Sequence, residues 1–262
     1  MNANKGSAEQ LDTDRVPTNL RLLMIAEILA TAGKPLTPSE INRQLGLPKP
    51  SIHRLCQTLI SEGYLARDID PRKLRPARRL RQVAAGLLST SDTAIACHQV
   101  LVEVAAKVNE TVNLVVPEEA GMRYLDRVET EWPFRIQLPV GTNVPFHCTA
   151  SGKTYLASLE PRKRAIFINT LKLEAKTSNT FTDATALLRE VEKVAAQGYA
   201  LDNGELFDGM VAIAVPIFQK DNRYFGALAF HGPDIRVKPG TAVEQLPVLK
   251  EGVKKLLTVL FE

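Results

Sequence analysis

The chain has 262 residues, 45% hydrophobic and 24% charged, which is too long for one average domain and too apolar for a disordered or collagen-like polymer. No apolar run approaches the roughly 18 residues of a membrane span, and three widely spaced cysteines (Cys56, Cys97, Cys148) give no disulfide framework and point to a reducing, cytoplasmic compartment. The net charge of +4 is unevenly spread: Arg15 to Arg81 holds thirteen Lys/Arg against five Asp/Glu, a local +8 that leaves −4 for the remainder.

A basic first quarter on a mildly acidic body is the asymmetry of a nucleic-acid-binding module joined to a different kind of domain. Residues 1–16 are polar and aperiodic, without the apolar core of a signal peptide, and are expected to form a disordered tail. From Thr18, a broad apolar stripe (Leu20, Leu22, Leu23, Ile25, Ala26, Ile28, Leu29) predicts a helix capped by Thr18 and stopped by Gly33. Thr37, Pro38 and Glu40 form a capping-box start for PSEINRQL, which ends at Gly46. The next helix, in LPKPSIHRLCQTLISEG, gathers Ile52, Leu55, Cys56, Leu59 and Ile60 on one face. Lys49, Ser51, His53, Arg54 and Gln57 lie off it. YLARDIDPRKLRPA then reads as two short strands around an Asp-Pro turn. Three helices followed by a hairpin predict a winged helix-turn-helix.

A basic Ala/Leu-rich helix follows from Pro76 to about Ser89, and the polar STSD at 89–92 marks a boundary. Beyond it, helices are expected at 93–108, near Ser151, and over 161–171, 184–197 and 243–260. Strands are expected at 111–117, 123–128, 134–137, 209–218 and 224–231. The pattern is α+β with a largely antiparallel sheet. There is no internal repeat, phosphate-binding GxxxxGK[ST] loop or metal-ligand cluster, so no metal or other cofactor is expected.

In a helix-turn-helix, the N-terminal residues of the second helix enter the major groove. Here these are Lys49, Ser51, Ile52, His53 and Arg54, with Arg43, Arg72, Lys73 and Arg75 suited to phosphates and Thr37 counted with them. In the C-terminal half, the small-residue stretch His147–Lys153 feeds a helix whose free N–H groups offer an anion site at Ala150 and Ser151.

Three segments resemble the IclR family of bacterial transcriptional regulators: LGLPKPSIHRLCQTLISEGYLARD (45–68), VPFHCTASGKTYLASL (144–159) and GYALDNGELFDGMVAIAVPI (198–217) with FGALAFHGP (225–233). Their order and spacing span about residues 18–260. Pro50 and KLRPARRLRQVAAGLL depart from the family pattern. The resemblance implies a winged helix-turn-helix DNA-binding domain at 17–76 and a linker helix at 77–91. It further implies a GAF-like effector-binding and oligomerisation domain at 92–262, and a homodimer or homotetramer on double-stranded operator DNA.

A small organic-acid effector, a carboxylate or aromatic acid, is implied with its carboxylate at Ala150 and Ser151. Asp202, Met210, Ala212, Ala229 and His231 are carried over as further pocket positions. His231 stands where the family often has a small hydroxyl residue, and an unperturbed imidazole there would gain charge as pH falls. Two alternatives remain at this stage. One is a small-molecule sensor whose winged helix contacts protein. The other is a hydrolase using Cys148, His147 or His231, and Asp202.

Overall fold

A computed structural model describes residues 17–89 and 92–262; the tail expected over 1–16 and residues 90–91 of the boundary lie outside the described residues. The chain divides between Leu87 and Leu88 into two compact units.

The first unit holds α1 (Thr18–Ala32), α2 (Pro38–Leu45), α3 (Lys49–Ser61) and the hairpin β1 (Leu65–Arg67) and β2 (Leu74–Pro76). Thr18 is not a cap: Pro17 occupies that position without a side-chain bond, and Thr18 is the first helical residue. The capping box at α2 forms, with Thr37 N donating to Glu40 Oε2 at 2.7 Å and Glu40 N donating to Thr37 Oγ1 at 3.2 Å. Gly46 ends α2 in the left-handed conformation (φ 62). Asn42 then clamps the turn between the helices, its amide donating to the Leu47 carbonyl at 2.7 Å and accepting from Leu47 N at 3.0 Å. Ile25, Leu29, Ile41, Leu45, Ile52, Leu55, Cys56, Leu65 and Leu74 form the core. Leu36 bridges Leu74 and adds a third rung to the wing. Helix α4 (Arg78–Ser89) follows; Arg81 Nη1 donates to the Pro76 carbonyl at 2.9 Å, and the Arg79 guanidinium lies 4.5 Å over the Tyr64 ring.

The second unit runs α5 (Asp92–Val108), β3 (Thr111–Pro117), β4 (Met122–Val128), β5 (Asn143–Val144), α6 (Ala150–Ser158), α7 (Pro161–Thr170) and α8 (Ala184–Gln197). It continues with β6 (Ala200–Asn203), β7 (Met210–Phe218), β8 (Tyr224–Pro233), α9 (Pro239–Glu244) and α10 (Leu246–Phe261). One antiparallel sheet of six strands, ordered β5-β4-β3-β8-β7-β6, organises it. The two faces follow from strand alternation. Val112 and Leu114, Val211, Ile213, Val215 and Ile217, with Leu228 and Phe230, pack under α5 and α10. The alternate residues, including Ala212, Ala214, Ala227 and Ala229, face the side that carries α6 and α8.

Those alanines let α6 lie close to the sheet, and Gly152 lets its first turn lie against the preceding segment. Three expectations change. Residues 134–137 form no strand; Pro133 and Pro139 bracket them and cannot donate to a ladder. The short β5 and β6 were not anticipated. The last helix is two, broken at Gln245 before Pro247.

A Cβ built on Gly152 would sit 2.3 Å from the Phe146 carbonyl oxygen and 2.5 Å from Phe146 Cα, both backbone atoms that cannot swing away. Gly152→Ala is therefore expected to destabilise the second unit by about 1–3 kcal/mol, the usual cost of overpacking. Thermal unfolding of the variant checks this, and an unchanged midpoint contradicts it.

Candidate functional site

The first unit presents a basic surface. Lys49, His53 and Arg54 on α3, with Arg43 in the last turn of α2, are exposed; Ser51 is half-buried beside them. Ile52 is a correction to the sequence reading. It is 1% exposed, packed in the core with Leu55 and Leu59, so it cannot reach a base. Thr37 also differs from expectation, because its hydroxyl donates to Glu40 Oε2 at 2.8 Å and serves the cap. On the wing, Arg72 is held in a two-pronged pair with Asp70 (3.0 Å at both contacts), which pulls that carboxyl down to about 2. Lys73 and Arg75 are half-buried, with Arg75 Nε 4.0 Å from Asp68.

In the second unit, all seven pocket positions expected from the sequence line one cavity of about 50 Å³: Ala150, Ser151, Asp202, Met210, Ala212, Ala229 and His231. Helix α6 aims its N-terminus into it. Thr149 caps that helix by accepting from Gly152 N at 3.0 Å, while its own hydroxyl donates to the Pro145 carbonyl at 2.7 Å. No acceptor for the N–H groups of Ala150 and Ser151 is found among the described residues. Two free donors at a positive dipole end form an anion seat.

Behind this seat lies a buried charged cluster. Lys153, next on α6, is fully buried; its Nζ donates to Glu205 and lies 3.7 Å from Glu190 Oε1. Asp202 accepts from Glu205 N at 2.6 Å. Burial, then the neighbouring Glu205 charge, pushes the Asp202 carboxyl up to about 7, so it carries less negative charge near neutral pH than an ordinary carboxylate and repels an anion less. Burial also raises Glu205, opposed by Lys153.

On the other wall, His231 Nδ1 meets Asn113 Nδ2 at 3.1 Å, and Asn113 Oδ1 accepts from Arg127 Nη1 at 3.3 Å. Arg127 Nη2 also donates to the Ile136 carbonyl. Burial, then the Arg127 charge, pushes the His231 ring down to about 3. This corrects the expected pH response: His231 stays neutral across the physiological range.

Asn113, Tyr124, Ile136, Leu138, Thr149, Leu206 and Phe207 also line the cavity and were not singled out as pocket residues from the sequence. Only the in-register pairing of Asn113 with Ala229 on neighbouring strands brings that asparagine to the site. The aromatic residues Trp132 and Phe134 do not line the cavity; Trp132 Nε1 donates to the Asn109 carbonyl at 3.2 Å and Phe134 is exposed. His147 Nε2 is bonded to the Glu174 carbonyl at 2.9 Å. Cys148 is buried, and burial pushes its thiol up to about 12, which denies it the thiolate of a nucleophile. Among the described residues no cluster of three or more His, Cys, Asp and Glu is arranged around a metal position.

A roomier groove of about 370 Å³ opens on the α5 side of the sheet, between Ile95, Leu125 and Val140. Its His98 and Asp126 already pair with each other at 3.1 Å. The convergent unpaired donors belong to the smaller cavity.

Two family models cover the chain: the IclR helix-turn-helix domain matches residues 20–68, and the bacterial transcriptional regulator IclR C-terminal domain matches 85–257. The sequence is 34% identical over 243 residues to "Probable transcriptional regulator SauR" of Cupriavidus necator, covering 93% of this chain and 96% of the relative. The fold is similar to that of Thermotoga maritima IclR (TM-score 0.62, 25% identity, 94% of this chain and 99% of that one). It is also similar to an IclR homolog from Microbacterium hydrocarbonoxydans complexed with 4-hydroxybenzoate (TM-score 0.56, 26% identity, 93% and 99% coverage).

The raised Asp202 carboxyl has a signature in stability. Its folded value, about 7 against 3.8, means the native state binds this proton more tightly than the unfolded chain. The resulting stabilisation is complete below pH of about 4 and is lost as pH rises to about 7. Urea unfolding across that window should show Asp202→Asn gaining on the wild type as pH rises, and a constant difference contradicts the assignment.

Proposed function

Since this chain belongs to the IclR family of bacterial transcriptional regulators, we propose that it binds operator DNA through its first unit and a small organic acid in the α6 pocket, the acid modulating the grip on DNA. The observation that carries this reading is the pair of unsatisfied N–H groups at Ala150 and Ser151, backed by the raised Asp202 carboxyl, whose negative charge near neutral pH is reduced. An anion binds there without a counter-cation in the pocket wall, because the helix dipole and two N–H bonds supply the attraction. The cavity volume of about 50 Å³ supports a short aliphatic acid over an aromatic one.

On the DNA side, Lys49, His53 and Arg54 are the exposed side chains of the recognition helix α3 that match base-edge acceptors, Arg with guanine most strongly. Arg43, Arg72, Lys73 and Arg75 suit the phosphates. The working form is a cytoplasmic homodimer or homotetramer, with Leu20 and Leu23 leaving an apolar face open on α1. Helix α4, which spans the boundary between the units, is the element through which effector binding reaches the DNA-binding half. The effector acts by binding one quaternary arrangement better than another. The reading is non-enzymatic; the buried, protonated Cys148 argues against the hydrolase alternative.

Sequencing genomic fragments retained by the purified protein, with and without short-chain acids, tests the proposal; random retention in both conditions overturns it. On a retained site, Arg54→Ala should cost about 1–3 kcal/mol and relax sequence preference at one position. Lys73→Ala should weaken all DNA alike and lower the salt slope by about one. Equal losses for Arg54→Ala on specific and random duplexes contradict its base-reading role.

A further inference from the structure

One buried side-chain atom of the pocket lining has no partner among the described residues. His231 Nε2 is shielded from solvent and unbonded among the described residues. A buried donor or acceptor left in that state costs about 1–3 kcal/mol, so such groups are normally met by ligand or water.

The role of Nε2 is fixed by its neighbours. Arginine carries only donors, so the Asn113 atom facing Arg127 Nη1 at 3.3 Å is the amide oxygen. The Asn113 NH2 therefore faces His231 Nδ1, at 3.1 Å, and donates to it. A ring nitrogen that accepts carries no hydrogen, so the proton of the neutral imidazole sits on Nε2. Arg127 is itself held, by the Ile136 carbonyl and with Nε 3.3 Å from Glu129 Oε1. The ring's value of about 3, set by burial and Arg127, keeps this single state through neutral pH. Nε2–H is thus a donor oriented before any ligand arrives.

The cavity therefore offers donors from two sources, the Ala150 and Ser151 amides and His231 Nε2–H, within about 50 Å³. The geometry points to a ligand class: an acid of about two to four carbons bearing a second acceptor oxygen, a hydroxyl, keto or second carboxylate, received by His231. Asn113 and Arg127 are positioning residues that set the hydrogen His231 offers. This rests on the reading of the pocket as an acid site. A plain alkanoate leaves Nε2–H unpaired, and an α-ammonium group would set donor against donor. Sites built around a hydrogen bond reject analogues lacking its partner far more strongly than apolar pockets reject a lost methylene.

Calorimetry of the full-length protein with matched acids tests this: acetate beside glycolate and glyoxylate, propanoate beside lactate and pyruvate, butanoate beside succinate. The oxygenated member of at least one set is expected to bind about tenfold or more tighter than its plain partner. In Asn113→Leu and His231→Leu the gap should shrink to about twofold or less, and His231→Gln, which keeps an N–H donor, should recover part of it. Equal affinities within every set overturn the inference and leave the acid pocket standing; no binding by any of these acids overturns both. Nitrogen-15 NMR of the wild-type histidines at neutral pH needs no variant to fold. His231 with its proton on Nε2 supports the assignment, and a proton on Nδ1 overturns it.

Discussion

Everything functional in the second unit depends on how closely α6 can lie on the sheet. Four alanines on the facing strands (Ala212, Ala214, Ala227, Ala229) and Gly152 in the helix remove the side chains that would hold it away. Lys153, one residue further along, reaches a carboxylate on the turn after β6 and joins helix to turn with no solvent access. A buried ion pair adds little stability over an apolar pair of the same shape, but losing either partner is costly. Lys153 and Glu205 therefore serve mainly to fix position. They hold Asp202 and the start of α6 on one cavity, where burial first and the Glu205 charge second raise the Asp202 carboxyl.

That arrangement divides the wall of the pocket by chemistry. One side is backbone, whose N–H groups cannot be altered by substitution without moving the helix. The other is the side-chain chain Arg127–Asn113–His231, in which each hydrogen bond is set by the one before it. Between them lie alanine, methionine and leucine surfaces that exclude water and strengthen both ends. In the proposed reading, the backbone seat is indifferent to the rest of an acid, and selection among acids falls to the side chains of the opposite wall.

Local signals were legible in the sequence because local physics produces them. The Thr37 box, the left-handed Gly33 and Gly46 stops, and the alternation along β7 each need only neighbouring residues. The one misassigned base contact, Ile52, was already on the apolar stripe with Leu55, Cys56 and Leu59, so helical spacing argued for its burial. Phe134–Gln137 alternates like a strand, yet prolines close both ends. The Asn113–His231 bond joins residues 118 positions apart and the Lys153–Glu205 pair spans 52. No periodicity encodes such pairings; they appear only once the strand order β3-β8-β7-β6 is known. The seven pocket positions carried over from the family resemblance all line the cavity, while the residues that tune it were invisible.

The three cysteines of the chain share a fate with practical weight. Cys56, Cys97 and Cys148 are all buried and free, and burial pushes their thiols up to about 11, 11 and 12. Buried and with so little thiolate near neutral pH, none of the three offers peroxides or electrophiles the accessible thiolate they react with. The same property makes the native protein a blank background for chemistry. A single cysteine placed on the outer face of α3 or at the wing tip would be the one fast-reacting sulfur, and a dye attached there would report the approach of DNA without interference from the rest of the molecule.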